Sequence, residues 1–528
     1  MLYAVFRGLS RLALRWFYRD VTVVGAEHIP REGPVMVAVN HPNALVDALV
    51  AVSIVPRQVT LTAKATLWES RLLAPLLDAV GIVPLRRLAD EGGRRPRAAR
   101  RPSATPPAGL SRWATEGKEG RKPGATPRAV EPVPEEPLQQ TAAFEVTLTP
   151  GGPAMFATSA EHRVVRNLAA FAALLERLER GGAVLFFPEG KSHDEPQLAP
   201  LKTGLARIAL QARDDRKVAG LAIVPIGLVF ERKWAPRSRV LVQVGEPLPL
   251  DAWQPPAGAA DALGAAEALT AEVDARLRAL TLNFESAKEE AQTLAVARTL
   301  AAAFEGDRPL PEADTPLPAA VAVARRVEAA RERLSADGHL PPRAEAFLER
   351  LSALRRLAAT HGVRLEDAEI ATGLAAGARF TVREGLLGLA TAPVALWGAV
   401  NHWLPLHLAW TLARRTSRSA EDPAMHTIVL GLGLTLVAYL VQTGIVAWLA
   451  GPWWALAYLV SLPPSSVVRL RWTDRARRAV RRARTYARFR REPALRERFR
   501  EELAWLRAES LALEGEGTDA RTDAASSR

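Results

Sequence analysis

Through its first 90 residues the chain alternates short apolar runs with segments of helical period. In MLYAVFRGLSRLALRWFYRD, arginines recur every fourth residue at Arg7, Arg11, Arg15 and Arg19. Leu2, Phe6, Leu9, Ala13, Trp16 and Phe17 fall largely on the other side. Residues 1–19 thus predict an amphipathic helix, lying in a bilayer interface or packed on its own domain. No small-residue cleavage site follows, so it is not read as a signal peptide. Val21–Val24 and Val35–Val39 read as strands, the second fully apolar and ending at Asn40-His41-Pro42. Helical patterning follows over 43–55 and 65–80, then a short strand at Ile82-Val83. After a gap the alternation resumes with a helix over 164–180, a strand over 183–187, a helix over 201–212 and strands over 220–230 and 239–244. This predicts an α/β domain over 20–255, a mixed sheet flanked by helices.

Beyond it, 256–378 is rich in Ala, Leu, Glu and Arg and predicts an all-helical extension. Region 379–468 contains two uncharged stretches, 385–413 and 423–468. Both exceed the roughly 20 residues needed for one membrane crossing. The longer predicts a hairpin of transmembrane helices turning at Gly451-Pro452. The shorter, interrupted by Pro393 and Pro405, predicts a tilted span or a re-entrant pair. Residues 469–528 read as a basic juxtamembrane helix and a polar tail, which makes the chain an integral membrane protein.

Composition changes this picture in two places. The 528 residues carry a net charge of +13, and the pI is near 10.5, which points to anionic partners. That charge is localised, with +10 in residues 469–491 and +6 in residues 88–128. The second tract belongs to a basic, Pro-rich insertion over 88–160 that cannot bury a core and is expected to be disordered. No cysteine is present, which excludes disulfides, thiolate metal sites and a cysteine nucleophile.

Four strings carry candidate chemistry. In NHPNALVDAL, His41 stands at the end of a buried strand with Asp47 six residues on. Such an imidazole can take a proton from a hydroxyl while the carboxylate holds its tautomer. At Gly81–Arg87 a strand end presents Arg86, whose planar fork suits a phosphate. FPEGKSH delivers Glu189, Gly190, Lys191 and Ser192 into a turn, with Lys202 a little further on. Val224-Pro225-Ile226-Gly227 is a buried strand whose proline shapes a pocket wall. No His or carboxylate recurs at metal-ligand spacing, so no metal is expected.

In order and spacing these four strings, with VTVVGAEHIPREGPVMVAVNH and LTAKATLW before them, resemble the glycerophospholipid acyltransferase family over residues 20–250, insertion excluded. FPEGKSHDEPQLAPLKTG is most similar to the yeast-type glycerol-3-phosphate or dihydroxyacetone-phosphate branch. The resemblance implies O-acyl transfer from an acyl thioester, acyl-CoA or acyl carrier protein, to glycerol 3-phosphate, its 1-acyl derivative or dihydroxyacetone phosphate. It implies His41 as general base, Asp47 as its orienting partner and Arg86 on the acceptor phosphate. Glu189 and Gly190 would shape or bind the glycerol phosphate, Ser192, Lys191 and Lys202 would supply further contacts, and Pro225 would shape the pocket. No bound cofactor is implied. Where the family pattern has four residues between His and Asp, this chain has five, a variant of the yeast-type branch. On a regular helix six steps turn about 600°, leaving the two side chains about 120° apart. The extra residue must be absorbed in the strand-to-helix turn, at Pro42-Asn43.

Alternatives are a non-catalytic membrane lipid-binding relative and a serine hydrolase. The second fails because Ser192, His193 and Asp194 are adjacent and no G-x-S-x-G elbow occurs. Nucleic acid is excluded as a partner because the Arg-rich tracts lack interleaved stacking aromatics. The eleven arginines of 469–491 predict membrane phospholipid as a partner and mark the cytoplasmic side of a plasma or inner membrane. An even number of crossings then puts the active site on that side.

Overall fold

In the computed structural model, the described residues are 2–65, 68, 74–85, 170–233, 235–259, 261–304, 316–334, 341–416 and 422–526. The insertion lies outside them, as does Arg86 just before it. The N-terminal pattern folds as helix α1 (Leu2–Phe17). Strands β1 (Asp20–Val24) and β2 (Val35–Val39), helix α2 (Ala44–Ile54), strand β3 (Val59–Lys64), helix α3 (Ala74–Val80) and strand β4 (Val83–Leu85) follow. Beyond the insertion come a helix described over 170–179 (α4), β5 (Ala183–Phe186), α5 (Gly204–Asp214), β6 (Ala222–Phe230), β7 (Arg239–Val244) and the short β8 (Leu248–Pro249).

The strands form one sheet in the order β1-β7-β6-β2-β5-β3-β4, with β8 beside β6. Neighbours from β6 to β4 are parallel, whereas β7 and β8 run antiparallel to β6. The result is a mixed α/β sheet. β2 is at its centre and buried at all five positions, because both faces of the sheet are covered. Val35, Val37 and Val39 pack with α1 and α2 through Leu14, Phe17, Val46 and Val50. Met36 and Ala38 face α4, α5 and helix α6 (Ala262–Leu280) through Leu174, Ile208 and Leu277.

Helix α1 is amphipathic in a different sense from the simple two-sided pattern. Ala13, Leu14 and Phe17 are buried in the domain core, while Leu2, Val5, Leu9 and Leu12 form an apolar stripe facing outward. Leu2 and Leu9, grouped by pattern with Ala13 and Phe17, thus point away from the core.

Helices α7 (Ala287–Phe304), α8 (Leu317–Leu334) and α9 (Pro342–Thr360) make up the extension. Then come three long helices, α10 (Leu374–Thr416), α11 (Asp422–Ala450) and α12 (Pro452–Arg491), and a last helix, α13 (Pro493–Ser526). α11 and α12 are separated by Gly451 alone, at φ +92°, a conformation that favours glycine. Residues 385–413 lie within the single element α10, with Pro393 and Pro405 inside it. α12 continues through Pro463-Pro464 and on through the arginine run as one helix.

Among the described residues, Thr427–Ala450 of α11 is long and apolar enough to cross a membrane, at mean hydropathy 1.9. The start of α11 is rooted in the α/β core: Ile428 joins the cluster of α1 and α2, and the Trp16 ring lies against Gly431. The arginine run is partly neutralised from within. Arg475 pairs with Glu384, and Arg481 and Arg482 share Asp367, whereas the run's own acid, Asp474, is held by Arg237 of the β6–β7 loop. Phe489 of α12 and Phe499 and Leu503 of α13 pack with Phe347 and Leu351 of α9 into a separate helical core.

Candidate active site

The site assembles at the carboxyl ends of β2, β5 and β6, where open α/β sheets present loops around a crevice. β2 delivers Asn40, His41 and Pro42. The Asn40 side chain bridges to β6 twice, donating to Leu228 O at 3.1 Å and accepting from Leu228 N at 2.7 Å. These two hydrogen bonds fix the strand end from which His41 projects.

The long His–Asp spacing is absorbed at Ala44, which sits at φ +45°. One left-handed residue at the head of α2 changes the phase of the helix and swings Asp47 toward His41. His41 Nδ1 lies 3.0 Å from Asp47 Oδ2, and Asn43 N donates to the same oxygen at 2.6 Å. Asp47 is fully buried, and its other oxygen, Oδ1, has no hydrogen-bond partner. Burial pushes the Asp47 carboxyl above its ordinary value, and the His41 hydrogen bond pulls it back. With Nδ1–H donating to the carboxylate, the neutral ring carries its basic lone pair at Nε2. The ring is stacked on Phe187, with centroids 4.0 Å apart.

β5 delivers the loop that begins Pro188-Glu189-Gly190. Glu189 Oε1 accepts from His41 N at 2.5 Å, and Oε2 accepts from Ala199 N at 2.9 Å and from His193 Nε2. Both oxygens thus have protein partners, and Glu189 shapes the site by tying three chain segments together. Gly190 takes φ +75°, and the Lys202 side chain lies over it so closely that a Cβ would meet Lys202 Cδ at 2.9 Å. Lys191 and Lys202 are exposed, and Ser192 is half-buried beside them. Pro225 is buried inside the sheet, in register with Ala38 of β2, while β6 reaches the cleft through Leu228, Val229 and Phe230. Arg86 is among the undescribed residues.

Residues that pattern reading passed over complete the site. Tyr18 OH donates to Lys233 O at 3.1 Å, and Asn43 Nδ2 donates to both Tyr18 OH and Lys233 O. This knot joins the end of α1, the turn before α2 and the end of β6 behind Asp47. His193 N also donates to His41 O at 3.3 Å, so two histidines share one backbone hydrogen bond. Asn43 and His193 stood inside noticed strings, whereas nothing in the sequence marked Tyr18 or Lys233. Among the described residues no group of three or more His, Asp or Glu side chains could hold a metal ion.

A buried carboxylate orienting an imidazole at the carboxyl end of parallel strands defines an α/β protein equipped for general-base chemistry. The Acyltransferase family model matches residues 20–108 and 154–229, within the α/β domain. An uncharacterized acyltransferase of Schizosaccharomyces pombe is 26% identical over 259 residues, covering 45% of this chain and 37% of that protein. Glycerol-3-phosphate O-acyltransferase 2 of Saccharomyces cerevisiae is 24% identical over 293 residues, covering 47% and 38% respectively. The chain thus spans less than two-fifths of the length of these curated relatives. The crystal structure of the 1-acyl-sn-glycerophosphate (LPA) acyltransferase PlsC from Thermotoga maritima aligns at TM-score 0.31 and 15% identity, over 52% of this chain and 77% of that one.

Proposed function

We propose that this chain transfers a fatty acyl group from an acyl thioester to a hydroxyl of a glycerol phosphate, with His41 as general base. The observation that carries the reading is the 3.0 Å contact between His41 Nδ1 and buried Asp47, inside a domain of the Acyltransferase family. His41 Nε2 removes the hydroxyl proton as the oxygen attacks the thioester carbonyl. The C–S bond then breaks, and the thiolate leaves with the proton that His41 carried. Asp47 stabilises the imidazolium in between. The acceptor is glycerol 3-phosphate, its 1-acyl derivative or dihydroxyacetone phosphate, and the donor is acyl-CoA or acyl carrier protein. The yeast relative's name favours the first acceptor.

His41→Ala and His41→Asn, assayed as the full chain with labelled donor and each acceptor, test this. Transfer should fall about 10²–10⁴-fold with folding intact. Transfer at the parent rate would remove His41 from the mechanism.

We further infer that α10–α12 enter a bilayer, with the catalytic domain on its cytoplasmic face. The reading is supported by broad outward apolar surface on these helices and by Trp448, Trp453 and Trp454, 84%, 81% and 69% exposed at the α11–α12 turn. Tryptophan suits the membrane–water interface, and the arginines of α12 suit an anionic leaflet. Alkaline carbonate extraction of membranes holding the full chain should leave it in the pellet. Its release to the supernatant would contradict insertion.

A further inference from the structure

Past the apolar part of α12, one face of that helix and the turn after α9 line an open groove of about 470 Å³. Arg477, Arg481 and Arg484 supply its charge, Trp472 and Val480 its apolar wall, and Gly362 comes from the turn after α9. The three arginines stand at i, i+4 and i+7, so they share one stripe of the helix and repel one another. Residues 475–484 hold six arginines and no acid. Arg481 is anchored, its Nε donating to Asp367 Oδ2 at 2.8 Å. Arg477 and Arg484 are exposed, and among the described residues neither has a hydrogen bond or ion pair. Two unneutralised guanidinium groups flanking a fixed third, beside an apolar wall, suit an anion that carries apolar surface with it.

The position of the groove along α12 fits the same ligand. Trp453 and Trp472 are nineteen residues apart in one helix, a rise of about 28 Å, close to the roughly 30 Å hydrocarbon thickness of a bilayer. Residues from Pro452 to Val468 carry no charge. Trp472 therefore marks the second interface, and Arg477 stands about 7 Å beyond it, in the layer of phosphate groups. The indole is held there by its Nε1–H, which donates to Gly388 O of α10 at 3.1 Å.

We propose that this groove binds one anionic phospholipid, with its phosphate between Arg477 and Arg484 and its acyl chains running back past Trp472 along the uncharged part of α12. The inference rests on the bilayer reading of α10–α12 and adds to it a defined site, in place of a general attraction of basic charge to an anionic leaflet. A zwitterionic lipid brings a cationic group to the same three arginines and binds more weakly. A soluble phosphate gains nothing from Trp472 and Val480 and is weaker too.

Native mass spectrometry of the full chain in neutral detergent micelles, titrated with dioleoyl phosphatidylglycerol or dioleoyl phosphatidylcholine, tests this. One phosphatidylglycerol should be retained per chain, about tenfold more tightly than phosphatidylcholine. Arg477→Gln combined with Arg484→Gln should weaken that binding about 25-fold, at about fivefold per arginine. Arg491→Gln combined with Arg498→Gln removes the same charge at exposed positions outside the groove and should leave it unchanged. Thermal unfolding at the parent temperature checks that both double variants fold. Equal weakening by the two double variants, or equal affinity for the two lipids, overturns the site in favour of unspecific charge. Displacement of phosphatidylglycerol by equimolar inorganic phosphate or coenzyme A overturns the lipid assignment. A chain that resists carbonate extraction yet shows no preference for phosphatidylglycerol loses this site alone, whereas a chain released by carbonate loses the bilayer reading on which it stands.

Discussion

His41 and His193 each lean on a buried carboxylate, yet the two carboxylates are wired differently. Both oxygens of Glu189 are occupied, by His41 N, Ala199 N and His193 Nε2. Asp47 concentrates its bonds on Oδ2, shared by His41 Nδ1 and Asn43 N, and leaves Oδ1 buried and unpartnered. A carboxylate satisfied on all sides stabilises the fold around it. One left half-satisfied destabilises the resting protein, and its field is released usefully when a positive charge forms on the adjacent ring. Glu189 is therefore a fastening and Asp47 a poised counter-charge. These two buried acids are told apart by their hydrogen bonds, since burial is nearly the same for both.

The largest effect should come from breaking the fastening. In Glu189→Gln one oxygen becomes an NH₂ group, which cannot accept from His41 N, Ala199 N or His193 Nε2–H. At least one buried donor is left facing another donor, and the variant should lose about 3 kcal/mol of stability or more. Denaturant unfolding of the full chain measures it, and acyl transfer should fall together with stability because His41 loses its backbone anchor. A variant as stable as the parent would show that Glu189 does not fasten the turn.

How much of this was legible in the sequence depends on the range of the contact. β2 was visible because a five-residue, Val-rich apolar run bounded by Pro34 and Asn40 reads as a doubly covered strand, and His41 followed near its end. The spacing between His41 and Asp47 demanded a compensating turn, but pointed to Pro42-Asn43. The left-handed residue is Ala44, and nothing in an alanine advertises φ +45°. Glu189 was visible as a strand-end acid, while its partners at His41 and Ala199 depend on how the loop folds back. Tyr18, Asn43 and Lys233 meet across up to 215 residues, beyond the reach of any periodicity. The join between apolar and basic parts of α12 was read as a boundary because charge changes there. The backbone hydrogen-bond pattern does not change with it, and the helix runs on.

A smaller effect, opposite in sign, should follow at Asp47. Asp47→Asn keeps an oxygen for His41 and Asn43 but removes the negative charge, so catalysis should drop by about a hundredfold or more. Stability should move the other way. Burial raises the Asp47 carboxyl above its ordinary value of 3.8, so the folded chain holds that proton more tightly than the unfolded chain does. The favourable contribution is complete below 3.8 and is lost as pH rises through the raised value, because the folded protein must then ionise a buried group. Asparagine never ionises. Relative to the parent, Asp47→Asn should be more stable at neutral pH, and the gain should shrink steadily as pH falls toward the ordinary aspartate range. Thermal unfolding of both proteins across that interval provides the measurement. A gain that is absent at neutral pH, or that grows on acidification, would mean that Asp47 is as well satisfied as Glu189 and that the contrast between the two carboxylates does not hold.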